Sequence, residues 1–221
     1  MIIVAIDEIN FNKAKDILDN LDPEKCMLKI GSVAFNSIGR EIIFHATDRG
    51  FDIFLDLKLH DIPNTVKNTI KGLTSLPIKM LTIHASGGME MMKAAMHAVE
   101  GTNIKIFGVT ALTSLDDKDI MEIYNRSISD QVNAMLDLAD GAGIHGIVCS
   151  PHELKLVNKK DSLLTITPGI RLEDLDDDQK RIMTPKQAIE LGADYIVIGR
   201  AITSSENIGK TLKDIHSDIN S

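Results

Sequence analysis

Eight short runs rich in Ile, Val, Leu and Phe recur along the chain, each followed by a polar or glycine-containing turn and then a stretch of helical spacing. The runs are IIVAI (2–6), MLKI (27–30), DIFLDLK (52–58), MLTIHA (80–85), KIFGVT (105–110), GIVCS (146–150), LLTIT (163–167) and YIVIG (195–199). Between them, apolar residues share a helical face: Phe11, Ala14, Leu18 and Leu21, then Ile62, Val66, Ile70 and Leu73, then Met92, Ala95, Met96 and Val99. Continuously apolar strands alternating with amphipathic helices belong to a parallel sheet covered on both faces. Eight such units in 221 residues fit a closed barrel, so the sequence predicts an α/β protein with a single (β/α)8 TIM barrel over residues 1–221. A doubly wound open sheet is the runner-up, but a dinucleotide site there would want G-x-G-x-x-G after the first strand, and none follows it. No shorter repeat, low-complexity tract or linker divides the chain.

Composition narrows the partners. A net charge of −8 opposes binding to a nucleic-acid backbone or an anionic membrane, although a small anion could still enter a local basic pocket. The N-terminal run reaches Asp7 and Glu8 almost at once and has no basic flank, so it reads as neither a signal peptide nor a membrane span, and the cytoplasm is the expected location. Cys26 and Cys149 each lie inside an apolar run, which predicts two buried, reduced thiols and excludes a cysteine framework.

In a barrel of this type the active site lies at the C-terminal ends of the strands, so polar residues closing the apolar runs carry the functional signal. The first strand ends at Asp7, the second carries Lys29, the third carries Asp56 and Lys58, and the fourth and fifth end near His84 and Thr110. Asp56 and Lys58 are two apart and share a strand face, with Leu57 on the other, while Asp61 falls where the next helix opens. Charges pointing into a barrel mouth are costly to desolvate unless opposite neighbours offset the loss. A pair near 4 Å contributes roughly 4 kcal/mol at an intermediate effective dielectric. Asp7, Lys29, Asp56, Lys58 and Asp61 could form such an alternating array. A purely structural ion-pair network at the rim is the bland reading. A divalent-metal site using His60 or His84 with the carboxylates is a third, opposed by the two lysines.

A second signal lies at the far strands. The segments ITPGIR (166–171) and YIVIGRAIT (195–203) each put a glycine beside an arginine at the ends of strands seven and eight, where barrels commonly hold a phosphate. Arg171 and Arg200 could instead be surface ion-pair residues. The acidic stretch EDLDDDQ (173–179) reads either as a solvated loop or as a lid closing on ligand.

With these residues in view, the sequence resembles the orotidine 5'-monophosphate decarboxylase family over nearly its whole length. The resemblance rests on VAID (4–7), LKIG (28–31), DIFLDLKLHDIPNTV (52–66), VTALTS (109–114), TPGIR (167–171), DDQKRIMTP (177–185) and GADYIVIGRAIT (192–203). Asp-x-Lys-x-x-Asp marks the wider barrel group, and IPNT narrows it to the decarboxylase. The resemblance implies that Lys58 is the general acid delivering a proton to C6 of the pyrimidine and that Asp56 lies beside the departing carboxylate. Lys29 holds the array and contacts the ribose, which Asp7 also binds. Asp61 and Thr65, with the backbone near Ile62, reach into the neighbouring subunit's site, making the active form a homodimer. Thr113 reads the pyrimidine edge, and Arg171, Gln179, Gly199 and Arg200 grip the phosphate. No metal or organic cofactor is implied, and His84 is left without a chemical role.

Two rival readings remain. Magnesium-dependent sugar-phosphate decarboxylases and aldolases of the same barrel group share the Asp-x-Lys-x-x-Asp strand but carry a glutamate where this chain has Lys29. A catalytically silent nucleotide-binding barrel is the other, and it would have no use for a proton donor inside a desolvated charge array.

Overall fold

The computed structural model describes residues 1–157, 162–172 and 183–221. Eight parallel strands close on themselves in sequence order: β1 (Ile2–Ile6), β2 (Cys26–Gly31), β3 (Ile53–Leu59), β4 (Met80–His84), β5 (Lys105–Val109), β6 (Gly146–Val148), β7 (Leu164–Thr167) and β8 (Tyr195–Ile198). The predicted TIM barrel is borne out, with each apolar run supplying one strand. Helices follow the strands, among them Phe11–Asp19, Pro63–Leu73, Gly88–Ala98 and Ile128–Ala142. Asn10, Ser127 and Thr184 cap helices by accepting backbone N–H groups three residues on, and Pro185 opens the last of these where its missing N–H costs nothing.

The helical faces read from spacing are largely the buried ones: Ala14 and Leu18, Val66, Ile70 and Leu73, Met92 and Ala95. Ile62 departs from that reading. It lies just ahead of Pro63 with extended backbone and is 67% exposed, because proline disfavours helical geometry in the residue before it.

Two cores result from the period-two alternation of strand side chains. Outward residues such as Ile2, Val4, Leu28, Ile30, Ile53, Leu55, Leu81 and Ile83 pack beneath the helices. Inward residues Ile3, Ala5, Met27, Phe54, Met80, Phe107, Val109, Val148, Ile166 and Val197 fill the barrel itself. Aromatic rings cross its lower half, Phe54 to Phe107 and Phe107 to Tyr195, each pair with centroids 6.4 Å apart and edge-to-face. Gly146 makes room for them, since a Cβ there would fall 2.6 Å from the Phe107 ring and 2.3 Å from the Leu164 carbonyl oxygen. Both cysteines are buried and unbridged, and burial with Asp22 nearby pushes the Cys26 thiol up to about 12. Among the described residues no helix is long and apolar enough to cross a membrane.

One histidine joins three strands. The His145 N–H donates to the Ile106 carbonyl at 3.1 Å, its carbonyl accepts from Leu164 N–H at 3.1 Å, and its Nδ1 accepts the Ile106 N–H at 3.0 Å. Burial, helped by Lys105, holds the imidazole below its ordinary range, so the folded protein keeps it neutral. A lowered folded value means that the unfolded chain takes up a proton first as pH falls below about 6.5. The stabilisation is therefore complete above that pH and is lost as pH descends to the folded value. His45 and His84 are shifted the same way, chiefly by burial, and add to the trend. Urea midpoints should accordingly be lower at pH 5 than at pH 7.5. His145→Asn, which keeps an acceptor but cannot take up the proton, should flatten that difference, and an unchanged slope would rule His145 out as a contributor.

Candidate active site

The inward rows change character as they climb. Ile3 and Ala5 lead to Asp7, Met27 leads to Lys29 and Gly31, Phe54 leads to Asp56 and Lys58, and Met80 leads to Thr82 and His84. Period two thus carries an apolar floor upward into a polar mouth. There lies a cavity of about 260 Å³ whose walls include Asp7, Lys29, Asp56, Lys58, Thr113, Arg171, Gly199 and Arg200. Eight residues singled out in the sequence, from opposite sides of the barrel, therefore face one space.

Four charges alternate along one wall. Lys29 Nζ lies 3.2 Å from Asp7 Oδ1 and 3.7 Å from Asp56 Oδ2, and Lys58 Nζ lies 2.7 Å from the same Asp56 oxygen. Asp7 is open to the cavity mouth, whereas Asp56 is only 7% exposed. Burial pushes the Asp56 carboxyl up, but the Lys58 and Lys29 ammonium groups and the hydrogen bonds from Lys58 and Thr82 outweigh it and hold it below the usual carboxylate range. Asp56 is therefore held in its ionised form, with the cost of its burial offset by Lys58 and Lys29 beside it.

Lys58 reaches Asp56 by a route that period two does not foresee. Leu55 pairs with Leu81 and Leu59 pairs with Ile83, so four steps on β3 match two on β4. The two extra residues form a bulge, and because their number is even, Asp56 and Lys58 still face inward and Leu57 and Leu59 still face the helices. Within the bulge Lys58 adopts φ 50, a left-handed backbone that is uncommon outside glycine. Thr82 closes the gap: its hydroxyl accepts the Lys58 N–H at 2.9 Å and donates to Asp56 Oδ1 at 2.9 Å. Sequence reasoning passed over Thr82, whose signal was a single hydroxyl two residues before His84 in a mainly apolar run.

Space beside the array is kept by a glycine. Gly31 has ordinary extended backbone, φ −91 and ψ −177, so conformation does not demand glycine. A Cβ there would lie 2.9 Å from Lys29 Nζ and 3.4 Å from Asp7 Oδ1. Gly31→Ala should displace the tip of a flexible lysine, leaving the thermal midpoint within about 2 °C of wild type while kcat/KM falls about tenfold or more. A matched loss of stability and activity would instead point to a general packing defect.

Across the cavity, Gly169 (φ 81) makes a turn that strains any residue bearing a Cβ. Arg171 is 8% exposed, and the Ile170–Met183 bridge fixes its backbone, with Arg171 N–H donating to Met183 O and Met183 N–H donating to Gly169 O. At Gly199, among the described residues, a Cβ would meet only Ala5 Cβ at 3.6 Å, an ordinary contact. The described residues leave room for a side chain at that position.

Three of the residues do not line this cavity. Asp61, Ile62 and Thr65 are exposed, the Asp61 carboxylate accepts the Ile62 N–H at 2.7 Å, and no cation among the described residues lies within ion-pair distance of Asp61. Gln179 and the acidic stretch 173–179 lie outside the described residues. His84 is half-buried with its ring 5.3 Å from that of His60, and burial, then His60 and Lys58, hold it below the ordinary imidazole range. The apolar lining from Ala111, Val148, Cys149 and Pro168 also escaped the sequence reading, because apolar residues at strand ends look like any core.

Comparison with known proteins places this geometry. The sequence model of the orotidine 5'-phosphate decarboxylase / HUMPS family matches residues 1–215. The chain is 43% identical over 226 residues to the orotidine 5'-phosphate decarboxylase of Glaesserella parasuis serovar 5, covering 99% of this chain and 98% of that one. Among solved structures, the orotidine 5'-phosphate decarboxylase of Lactobacillus acidophilus superposes with a TM-score of 0.87 at 36% identity, over 100% of this chain and 99% of that one. The orotidine 5'-phosphate decarboxylase of Pyrococcus horikoshii OT3, at 22% identity and a TM-score of 0.82, shares the fold. A closed barrel with this charge array and near-complete coverage by these relatives leaves one assignment: the chain belongs to the orotidine 5'-phosphate decarboxylase / HUMPS family.

Proposed function

We propose that the protein is a carboxy-lyase converting orotidine 5'-monophosphate to uridine 5'-monophosphate and carbon dioxide, acting as a cytoplasmic homodimer without metal or organic cofactor. The observation that carries this reading is the alternating array Asp7, Lys29, Asp56, Lys58, with an ammonium 2.7 Å from a buried carboxylate. Breaking the bond from C6 to the carboxylate leaves its electron pair on C6 as a localised carbanion. The Lys58 ammonium attracts that charge as it develops and then transfers a proton, forming the C6–H bond and leaving an amine that solvent reprotonates. Asp56, ionised beside it, repels the substrate carboxylate, and the repulsion ends as neutral carbon dioxide departs.

Lys29 and Asp7 hold the ribose, and Thr113 reads the pyrimidine edge. Arg171, Gln179, Gly199 and Arg200 bind the phosphate, and the open space over Gly199 suits close approach of its oxygens to the backbone. Asp61, Thr65 and the backbone near Ile62 serve the neighbouring subunit's cavity, in keeping with their exposure away from their own.

The HUMPS side of the family invites the rival, magnesium-dependent sugar-phosphate chemistry. The residues do not fit a divalent cation: two ammonium groups lie within 3.7 Å of the buried Asp56 carboxylate and would repel it. Turnover of orotidine 5'-monophosphate, followed as loss of the orotate chromophore in excess chelator, tests the reading. Turnover should be undiminished, and its absence, or its disappearance with chelator, would sink the proposal.

A further inference from the structure

Thr82 is fully buried on β4, inward between Met80 and His84, and its hydroxyl is committed in both directions. A hydroxyl has one proton to give and lone pairs to accept with. Here the proton goes to Asp56 Oδ1 and the lone pair takes the Lys58 N–H, each at 2.9 Å. The bulge opens the ladder between the Leu55–Leu81 and Leu59–Ile83 pairs, so the amide in its left-handed turn is met by a side chain. A strained backbone of that kind persists only where its surroundings over-determine it. The same bond turns Asp56 so that Oδ2 is presented to Lys58 Nζ at 2.7 Å.

We propose that Thr82 is a positioning residue for decarboxylation: one hydroxyl, holding the Lys58 backbone and the Asp56 carboxylate together, sets the placement of the proton donor against the carboxylate beside it. This rests on the function proposed above. A merely structural hydroxyl would affect stability and leave the folded enzyme's turnover intact. A positioning hydroxyl acts on kcat.

Thr82→Val preserves shape and β-branching while removing both bonds, and Thr82→Ser retains them. With orotidine 5'-monophosphate, Thr82→Val should lower kcat about 10- to 100-fold with KM within about threefold of wild type, and Thr82→Ser should restore kcat to within about threefold. In ligand-free protein, hydrogen exchange at the Lys58 amide should accelerate about tenfold or more in Thr82→Val and stay near wild type in Thr82→Ser. A Thr82→Val enzyme with near wild-type kcat, equal impairment of the two variants, or unchanged protection at Lys58 would overturn the proposal. Should the valine variant not fold, Thr82→Ala is judged by the same readouts. If the wild type does not turn the nucleotide over, the functional reading fails, and the exchange comparison alone decides whether Thr82 holds Lys58.

Discussion

Lys58→Ala should lower turnover of orotidine 5'-monophosphate about 10⁴-fold or more while leaving binding of a nucleoside monophosphate analogue within about tenfold of wild type. The split follows from position. Lys58 stands at the Asp56 end of the array, whereas Arg171, Gly199 and Arg200 line the cavity from strands seven and eight. In the proposed mechanism, removing the ammonium deletes the proton source and the charge that meets the carbanion, two effects exerted on the transition state more than on the bound substrate. Asp56 keeps Lys29 at 3.7 Å, so its charge is not left wholly uncompensated and the barrel should still fold. Stopped-flow turnover together with calorimetric titration of the analogue reads both halves. Residual decarboxylation above about 1% of wild type would remove Lys58 from the role of proton donor.

The second large effect is a gain. Lys58→Ala and Asp61→Ala proteins should each be nearly inactive alone, and mixing them under conditions of subunit exchange should recover about a quarter of wild-type turnover. In a dimer whose sites borrow Asp61 across the interface, a mixed pair concentrates both lesions in one site and leaves the other whole, and random exchange makes half of the dimers mixed. The exposure of Asp61, Ile62 and Thr65 beyond their own cavity motivates the experiment. No recovery despite demonstrated exchange would mean that Asp61 acts at home.

What could be read in advance follows from which interactions are periodic. The barrel was legible because its determinants repeat: eight apolar runs, helical faces between them, and inward rows ending in Asp7, Lys29 and Lys58. The bulge was not, because whether β3 carries two extra residues against β4 depends on the pairing of two distant segments, and a left-handed lysine has no compositional mark. Thr82 was hidden for the same reason, since its importance lies in what it meets across the sheet. The exposure of Ile62 followed from Pro63, a local rule that the helical spacing overrode on paper. Gly31 was within the LKIG run, but only packing shows that the space above it belongs to an ammonium.

The aromatic stack low in the barrel also governs traffic. Phe54 meets Phe107 and Phe107 meets Tyr195 edge-to-face low in the barrel, with Met27 and Met80 among the neighbouring inward residues, so apolar side chains fill the barrel beneath the charge array. On the function proposed above, carbon dioxide released beside Asp56 and the new carbanion share one chamber of about 260 Å³ above that apolar floor. In the mechanism proposed above, recapture competes with protonation at every turnover, and Lys58, 2.7 Å from Asp56, is the group set to decide between them.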